Sequence, residues 1–275
     1  MTDPRAILRK HGLSAKRSFG QNFLVAEPVV RAIAAACVPD DELGRATVIE
    51  IGAGTGALTA ALCDRAARVI AIERDRDLVP VLRAELEGRP ALEVVEADAQ
   101  TAPIEAWLEA AAPPRVLAGN LPYQITGSLL ERATQLAPRL ERAVFMVQAE
   151  VAERLVARPS TKEYGALTVF VRAAFDVTRV MTVSRGSFHP APEVTSAVVR
   201  LVPRAARVEE TPRLRAVIKA AFEARRKTLR NAWSRLAERA ALEDAAARAG
   251  VSLDARGETL DVEAFARMAD ALAPR

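Results

Sequence analysis

The chain has 275 residues, half of them hydrophobic, with a net charge of +4 and a mean hydropathy near zero. No apolar run approaches the ~20 residues that cross a bilayer, and the first ten residues lack the apolar stretch of a secretory leader, so a cytoplasmic protein is expected. Cys37 and Cys63 have no metal-ligand spacing and read as small buried hydrophobes, while His11 and His189, the only histidines, argue against a histidine-held metal or a hydrolase triad.

The first twenty residues carry Arg5, Arg9, Lys10, Lys16 and Arg17 against Asp3, a net of +4. From about residue 28 to 200, strand-like apolar runs alternate with Ala- and Leu-rich helical patterns. The predicted strands are 47–51, 68–72, 92–96, 115–118 and 143–148, then a longer one near 167–177, and 196–202. Such alternation predicts an α/β fold with a doubly wound, mainly parallel sheet. Pro203–Pro212 is polar and bracketed by prolines, and reads as a linker. Beyond it Ile218, Phe222, Leu229, Trp233 and Leu236 recur at helical spacing and open a small all-helical domain, with Val251–Leu253 and Leu260–Leu272 as its last elements. The expected domains are therefore 1–203, an arm plus the sheet, and 204–275. Residues 213–235 hold eight Lys/Arg, Arg225 among them, and one acid, which leaves the chain outside the two basic segments at −7. Charge gathered this way suits phosphate binding; a solvated helix face accounts for it equally well.

The strand Val48-Ile49-Glu50-Ile51 runs into Gly52-Ala53-Gly54-Thr55-Gly56, and a helical pattern starts at Ala57. Glycines between strand and helix let a ligand approach the backbone closely. Glu73, ending the next strand 21 residues after Gly52, can accept both ribose hydroxyls of a nucleoside. A dinucleotide site would want G-x-G-x-x-G; this loop is G-x-G-x-G after an acid, which resembles motif I of class I methyltransferases that use S-adenosylmethionine. Asp98, after the third strand, stands where such enzymes place a carboxylate near the adenine amine; alone, it would read as a turn residue.

The fourth strand ends in Asn120-Leu121-Pro122-Tyr123, which resembles the [N/D]-[I/L/P]-P-[Y/F] motif of enzymes that methylate exocyclic amines. An adenine N6 lone pair is delocalised into the ring, so the amine is a poor nucleophile. The Asn oxygen and a backbone carbonyl can accept its two N–H bonds and bias the nitrogen toward tetrahedral geometry. Pro122 helps hold the turn, and Tyr123 can stack on a base drawn out of its helix. Asn and Pro are also ordinary turn formers, but the position downstream of a glycine loop and two acids favours chemistry.

Together these motifs resemble the ribosomal RNA adenine N6-dimethyltransferase family over roughly residues 13–275. Lys16-Arg17-Ser18-Phe19-Gly20-Gln21-Asn22-Phe23-Leu24 is similar to its N-terminal signature, Phe188-His189-Pro190-Ala191-Pro192-Glu193-Val194-Thr195-Ser196 to its F-x-P-x-P-x-V-x-S element, and Ala221–Asn231 to the basic segment of its housekeeping branch. The resemblance implies a class I, Rossmann-like methyltransferase sheet with a helical RNA-binding C-terminal domain. It also implies a monomer acting on small-subunit rRNA in an immature ribosomal subunit, with neither metal nor membrane. It makes Asn22, Leu24, Gly52, Gly54, Glu73, Asp98 and Asn120 contacts of S-adenosylmethionine. Asn120, Leu121, Pro122 and Tyr123 become the acceptor site, with Phe188 facing Tyr123 across the target base. Arg226, Lys227 and Arg230 would share an exposed face on RNA. Ala53, Gln124 and Ala149 depart from the usual pattern without removing a cofactor or acceptor group, Ala149 at a position often basic in the family and so at the expense of an RNA contact.

Two rivals stand beside this reading. One is the macrolide-resistance branch, which methylates large-subunit rRNA; Leu121, the Phe19–Leu24 string and the Arg225–Asn231 segment favour the small-subunit branch. The other is a non-enzymatic RNA-binding assembly factor, against which the intact set of Glu73, Asp98, Asn120, Pro122 and Tyr123 argues.

Overall fold

The computed structural model describes residues 3–223 and 226–273; Ala224 and Arg225 of the basic segment lie outside the described residues. Among those residues, seven strands build the main sheet: β1 (Thr47–Ile51), β2 (Arg68–Glu73), β3 (Leu92–Glu96), β4 (Arg115–Asn120), β5 (Arg142–Gln148), β6 (Phe175–Val183) and β7 (Ser196–Pro203). Their order is β3-β2-β1-β4-β5-β7-β6. β1 runs parallel to both β2 and β4, as do β2 to β3 and β4 to β5, whereas β7 is antiparallel to β5. Every residue of β1 is buried, as expected of a central parallel strand covered on both faces.

After α1 (Pro4–Lys10) in the arm, α2 (Glu27–Cys37) precedes β1, and the helices between strands are α3 (Ala57–Cys63), α4 (Leu78–Glu85), α5 (Ile104–Glu109) and α6 (Thr126–Leu136). Val30, Ile33 and Ala34 of α2 and Leu58 and Leu62 of α3 pack with Val48, Val69, Val116 and Val144 of the sheet in one apolar cluster. No helix among the described residues is long and apolar enough to cross a membrane.

The chain divides into two compact units. The first holds the residues to Ala152 together with Val177–Pro203; the second holds Glu153–Asp176 and the residues from Arg204. The second unit thus takes in Glu153–Asp176, a segment that precedes residue 203 in the chain. That segment contains a discrepancy with the sequence pattern. The run expected as a long strand near 167–177 is helix α8 (Ala166–Ala174), followed only then by β6. An unbroken apolar run does not distinguish strand from helix by periodicity. Here a turn closes on Gly165, whose N–H donates to the Thr168 hydroxyl at 3.2 Å, and Thr168, Val169, Val171 and Ala173 are buried.

The second unit is otherwise helical: α9 (Pro212–Glu223), α10 (Leu229–Ala232), α11 (Arg239–Ala249) and α12 (Val262–Ala271), with α7 (Ala149–Val156) running into it. Trp233, Tyr164 and Phe265 centre its core. Trp233 donates its indole N–H to the Val217 carbonyl at 2.9 Å, and the Tyr164 hydroxyl donates to the Leu260 carbonyl at 2.8 Å, so neither buried polar atom is orphaned. Val251–Leu253 is a loop rather than a helix.

Candidate active site

The sheet order reverses direction between β1 and β4, the place where open α/β sheets bind ligands. The loop 52–56 that leaves β1 there has Gly52, Gly54 and Gly56 at φ of +73°, +58° and +86°, conformations that favour glycine. The amides of Gly52 and Ala53 both donate to the Ile72 carbonyl, at 2.9 and 3.1 Å, which curls the loop over the end of β2. Gly119 has a different role, one the sequence reading missed. A Cβ on it would stand 2.5 Å from the Ile51 carbonyl oxygen, a backbone group that cannot swing aside. Glycine lets β1 and β4 approach closely just before they diverge.

Glu73 is the last residue of β2. One carboxylate oxygen accepts from the Gly54 amide at 2.7 Å and the other from the Asp75 amide at 2.8 Å, so the carboxylate braces the glycine loop. Burial pushes its carboxyl above the ordinary range, and the amides of Asp75, Gly54 and Arg74 pull the other way. Each oxygen keeps a lone pair for a further donor. Asp98 stands two residues past β3. It accepts from the Gln100 amide at 2.9 Å, which makes it a turn residue as well, and pairs with Arg74 at 3.4 Å. Glu50 is 1 % exposed, and its Oε2 has no partner among the described residues. Burial pushes its carboxyl up to about 7; the Thr59 hydroxyl, near it but outside hydrogen-bonding geometry, pulls it down, and the charge of Glu73 pushes it further up.

Asn120 ends β4 and donates from Nδ2 to the Asn22 carbonyl at 2.9 Å. The Pro122 carbonyl is taken up by the Ile125 amide and the Thr126 hydroxyl, at 3.1 and 3.0 Å. Tyr123 follows, its hydroxyl 2.6 Å from that of Ser196, which is fully buried at the start of β7. Ser196 belongs to the string already quoted, but nothing in the sequence shows that it faces Tyr123. In the arm, Phe23–Leu24 forms a two-residue antiparallel ribbon with Phe188–His189, Leu24 opposite Phe188.

Asn22, Leu24, Gly52, Gly54, Glu73, Asp98, Asn120, Leu121, Pro122 and Tyr123 thus line one cavity of about 340 Å³, together with Glu50. Phe188 does not line it; the ring is buried with Leu24, Met146 and Val198. The three basic residues of the second unit do not lie on one helix. Arg226 and Lys227 are exposed in a turn, and α10 restarts at Leu229 because the amides of Leu229 and Arg230 donate to the carbonyls of Ala255 and Leu253. Arg230 is committed to Glu243 and Asp254, at 2.8 and 3.4 Å.

The model of one protein family, ribosomal RNA adenine dimethylase, matches residues 12–274. The chain belongs to the ribosomal RNA adenine dimethylase family. Its relatives include the ribosomal RNA small subunit methyltransferase A of Myxococcus xanthus, 44% identical over all of this chain and 96% of that protein. The protein of the same description from Geobacter sulfurreducens is 38% identical over 96% of this chain and 98% of its own. Among solved structures, a dimethyladenosine transferase from Plasmodium falciparum superposes with a TM-score of 0.72 at 26% identity, covering 90% of this chain and 95% of that one. The 23S rRNA methyltransferase ErmE superposes at 0.65 and 31% identity, covering 91% and 99%.

As a ribosomal RNA adenine dimethylase the protein is an S-adenosylmethionine-dependent enzyme with a class I methyltransferase sheet. The cavity fits that donor on its own chemistry. It offers a buried carboxylate with spare lone pairs for two hydroxyls and a second carboxylate for an aromatic amine. Its glycine loop is a cradle that side chains would fill: a Cβ on Gly54 would already stand 3.2 Å from the Phe23 ring.

Proposed function

We propose that the protein dimethylates N6 of two adjacent adenosines near the 3′ end of small-subunit (16S) rRNA, acting as a cytoplasmic monomer on an immature ribosomal subunit. The observation that carries this reading is the turn Asn120–Tyr123, set at the end of β4 in the same cavity as Glu73 and Asp98. The small-subunit assignment draws on the relatives at 38–44% identity, whose names specify that subunit.

When bound, S-adenosylmethionine supplies a methyl group on a sulfonium sulfur. Glu73 holds its ribose hydroxyls, Asp98 its adenine amine, and Asn22 and Leu24 its methionine end. At the acceptor, Asn120 Oδ1 and one backbone carbonyl receive the two N6–H bonds. Because the Pro122 carbonyl is already used in its turn, that carbonyl belongs to Leu121. Both bonds strengthen as the nitrogen turns tetrahedral, which places their effect in the transition state. Tyr123, tethered by Ser196, stacks on the base, and Phe188, paired with Leu24 in the ribbon, holds that part of the arm in place. No strong base is needed, since the amine becomes acidic as it attacks; positioning does most of the work. Arg226 and Lys227 bind RNA phosphates, and Arg230 holds their turn through its carboxylates.

The test is mass mapping of methylated adenines in rRNA from cells with and without the protein, repeated with purified protein on unmethylated small subunits. Dimethyl marks that vanish from two neighbouring adenines of 16S rRNA support the reading. Loss of a mark on large-subunit rRNA alone would transfer it to the activity named for ErmE.

A further inference from the structure

The arm from Lys16 to Leu24 is fastened at two points, the first through Lys16 and Asp75, which lie outside the cavity. At the first, Asp75 receives Lys16 Nζ on Oδ1 at 2.5 Å and Gln21 Nε2 on Oδ2 at 2.7 Å. The Lys16 amide donates to Gln21 Oε1 at 2.8 Å, so the two arm residues hold one another in position. Lys16 also reaches Asp77 at 2.6 Å, and the Phe19 ring lies beneath both Lys16 and Arg74, 5.4 and 5.7 Å from its centroid. At the second point, Asn120 Nδ2 donates to the Asn22 carbonyl. Seven consecutive residues of the arm, Ser18 to Leu24, line the cavity, whereas Lys16 and Asp75 do not.

Asp75 is only 3 % exposed, two residues from the buried carboxylate of Glu73, to which its amide donates. Burial opposes its charge, but Lys16 and Gln21 hold its carboxyl below the ordinary range. Lifting the arm would remove the countercharge that Lys16 gives Asp75 beside the Glu73 carboxylate, so the contact favours closure.

We propose that Lys16, Gln21 and Asp75 form a catch that keeps the arm closed over the methyl donor, and that closure also sets the acceptor site. The second half follows from the two ends of an amide. With Nδ2 engaged by the Asn22 carbonyl, Oδ1 is the end of Asn120 left for the target amine. Asp75 is therefore a positioning residue, and one moving segment couples donor retention to acceptor geometry. The inference rests on the donor being S-adenosylmethionine.

The experiment uses the full chain and radiolabelled S-adenosylmethionine, with release followed in a chase by unlabelled cofactor. Single-turnover methyl transfer to unmethylated small subunits is measured at saturating cofactor. Lys16→Met and Asp75→Asn each remove a charge-assisted hydrogen bond and should speed release about tenfold or more. They should also slow the single-turnover step, while Lys16→Arg restores slow release. Lys16 lies on the arm surface, so Lys16→Met remains decisive if Asp75→Asn fails to fold. Release from Lys16→Met within twofold of wild type overturns the catch, and an unchanged single-turnover rate overturns the link to Asn120. A wild-type chain that binds no S-adenosylmethionine overturns the donor reading itself, a result distinct from tight binding that the variants leave untouched.

Discussion

Replacing Glu73 by glutamine tests the donor site most directly, because the structure fixes what the change removes. The carboxylate accepts one backbone amide on each oxygen, from Gly54 and from Asp75. A carboxamide has one acceptor oxygen and one donor nitrogen, so in either orientation one backbone N–H meets another donor. A buried donor left unsatisfied costs about 1–3 kcal/mol. Removing a charge that burial disfavours returns part of this, since the Glu73 carboxyl is already pushed up by its surroundings. The net loss in the free protein is about 1 kcal/mol, or roughly 2–4 °C in Tm at this chain length. In the complex the variant also loses a charged acceptor for the ribose, about 1.5–3 kcal/mol, which weakens binding about 10- to 150-fold. Calorimetric titration with S-adenosylmethionine and a thermal melt measure the two quantities separately. If Tm falls as expected while affinity stays within threefold of wild type, Glu73 merely braces the glycine loop and the ribose assignment is wrong.

Other changes separate the remaining roles. Asn120→Ala should slow single-turnover transfer about 100-fold at saturating cofactor, the scale of a preorganised transition-state contact, with RNA affinity nearly unchanged; transfer at the wild-type rate rules out Asn120 as acceptor. Glu50 is an acid whose folded value, about 7, lies above its ordinary 4.5, so its burial costs stability increasingly from about pH 4.5 to 7 and constantly above. Glu50→Gln should therefore flatten the pH dependence of unfolding in that window, by up to about 3 kcal/mol, as read from denaturant melts at pH 5 and pH 8; an unaltered slope assigns it to another group. Reversing Arg226 and Lys227 to Glu should weaken RNA binding and reduce the salt slope by about two, with cofactor affinity unchanged; equal slopes would mean the turn is only solvated.

The parts of this molecule legible in the sequence are those whose information is local. β1 with its glycine loop, Glu73 at the end of β2 and Asn120–Tyr123 after β4 are strand ends, and a strand end carries its chemistry within a few residues. The run 166–174 was misread because an apolar stretch buried on several sides has no distinguishing period, and the turn on Gly165 that starts α8 shows no strong signature. The basic segment looked like one helix because its apolar residues keep helical spacing. What interrupts it is pairing of two amides with carbonyls more than twenty residues away, which no local pattern records. Asp75 and Ser196 were missed for the same reason: their partners, Lys16 and Tyr123, lie 59 and 73 residues distant.

The same distances explain why the site works as a unit. The proposed donor groups follow β1, β2 and β3 and the proposed acceptor turn follows β4, on two sides of the break where the sheet order reverses. Gly119 brings the two sides within backbone contact of each other, since nothing larger than hydrogen fits against the Ile51 carbonyl. Close approach alone leaves the end of β4 free to turn. The arm removes that freedom by binding Asp75 past β2 and Asn120 at the end of β4 at once. A protein that methylates the same nitrogen twice must exchange spent donor for fresh donor, and the proposed catch would govern that exchange. On the proposed reading, fixing Asn120 through that segment ties the acceptor geometry to enclosure of the donor.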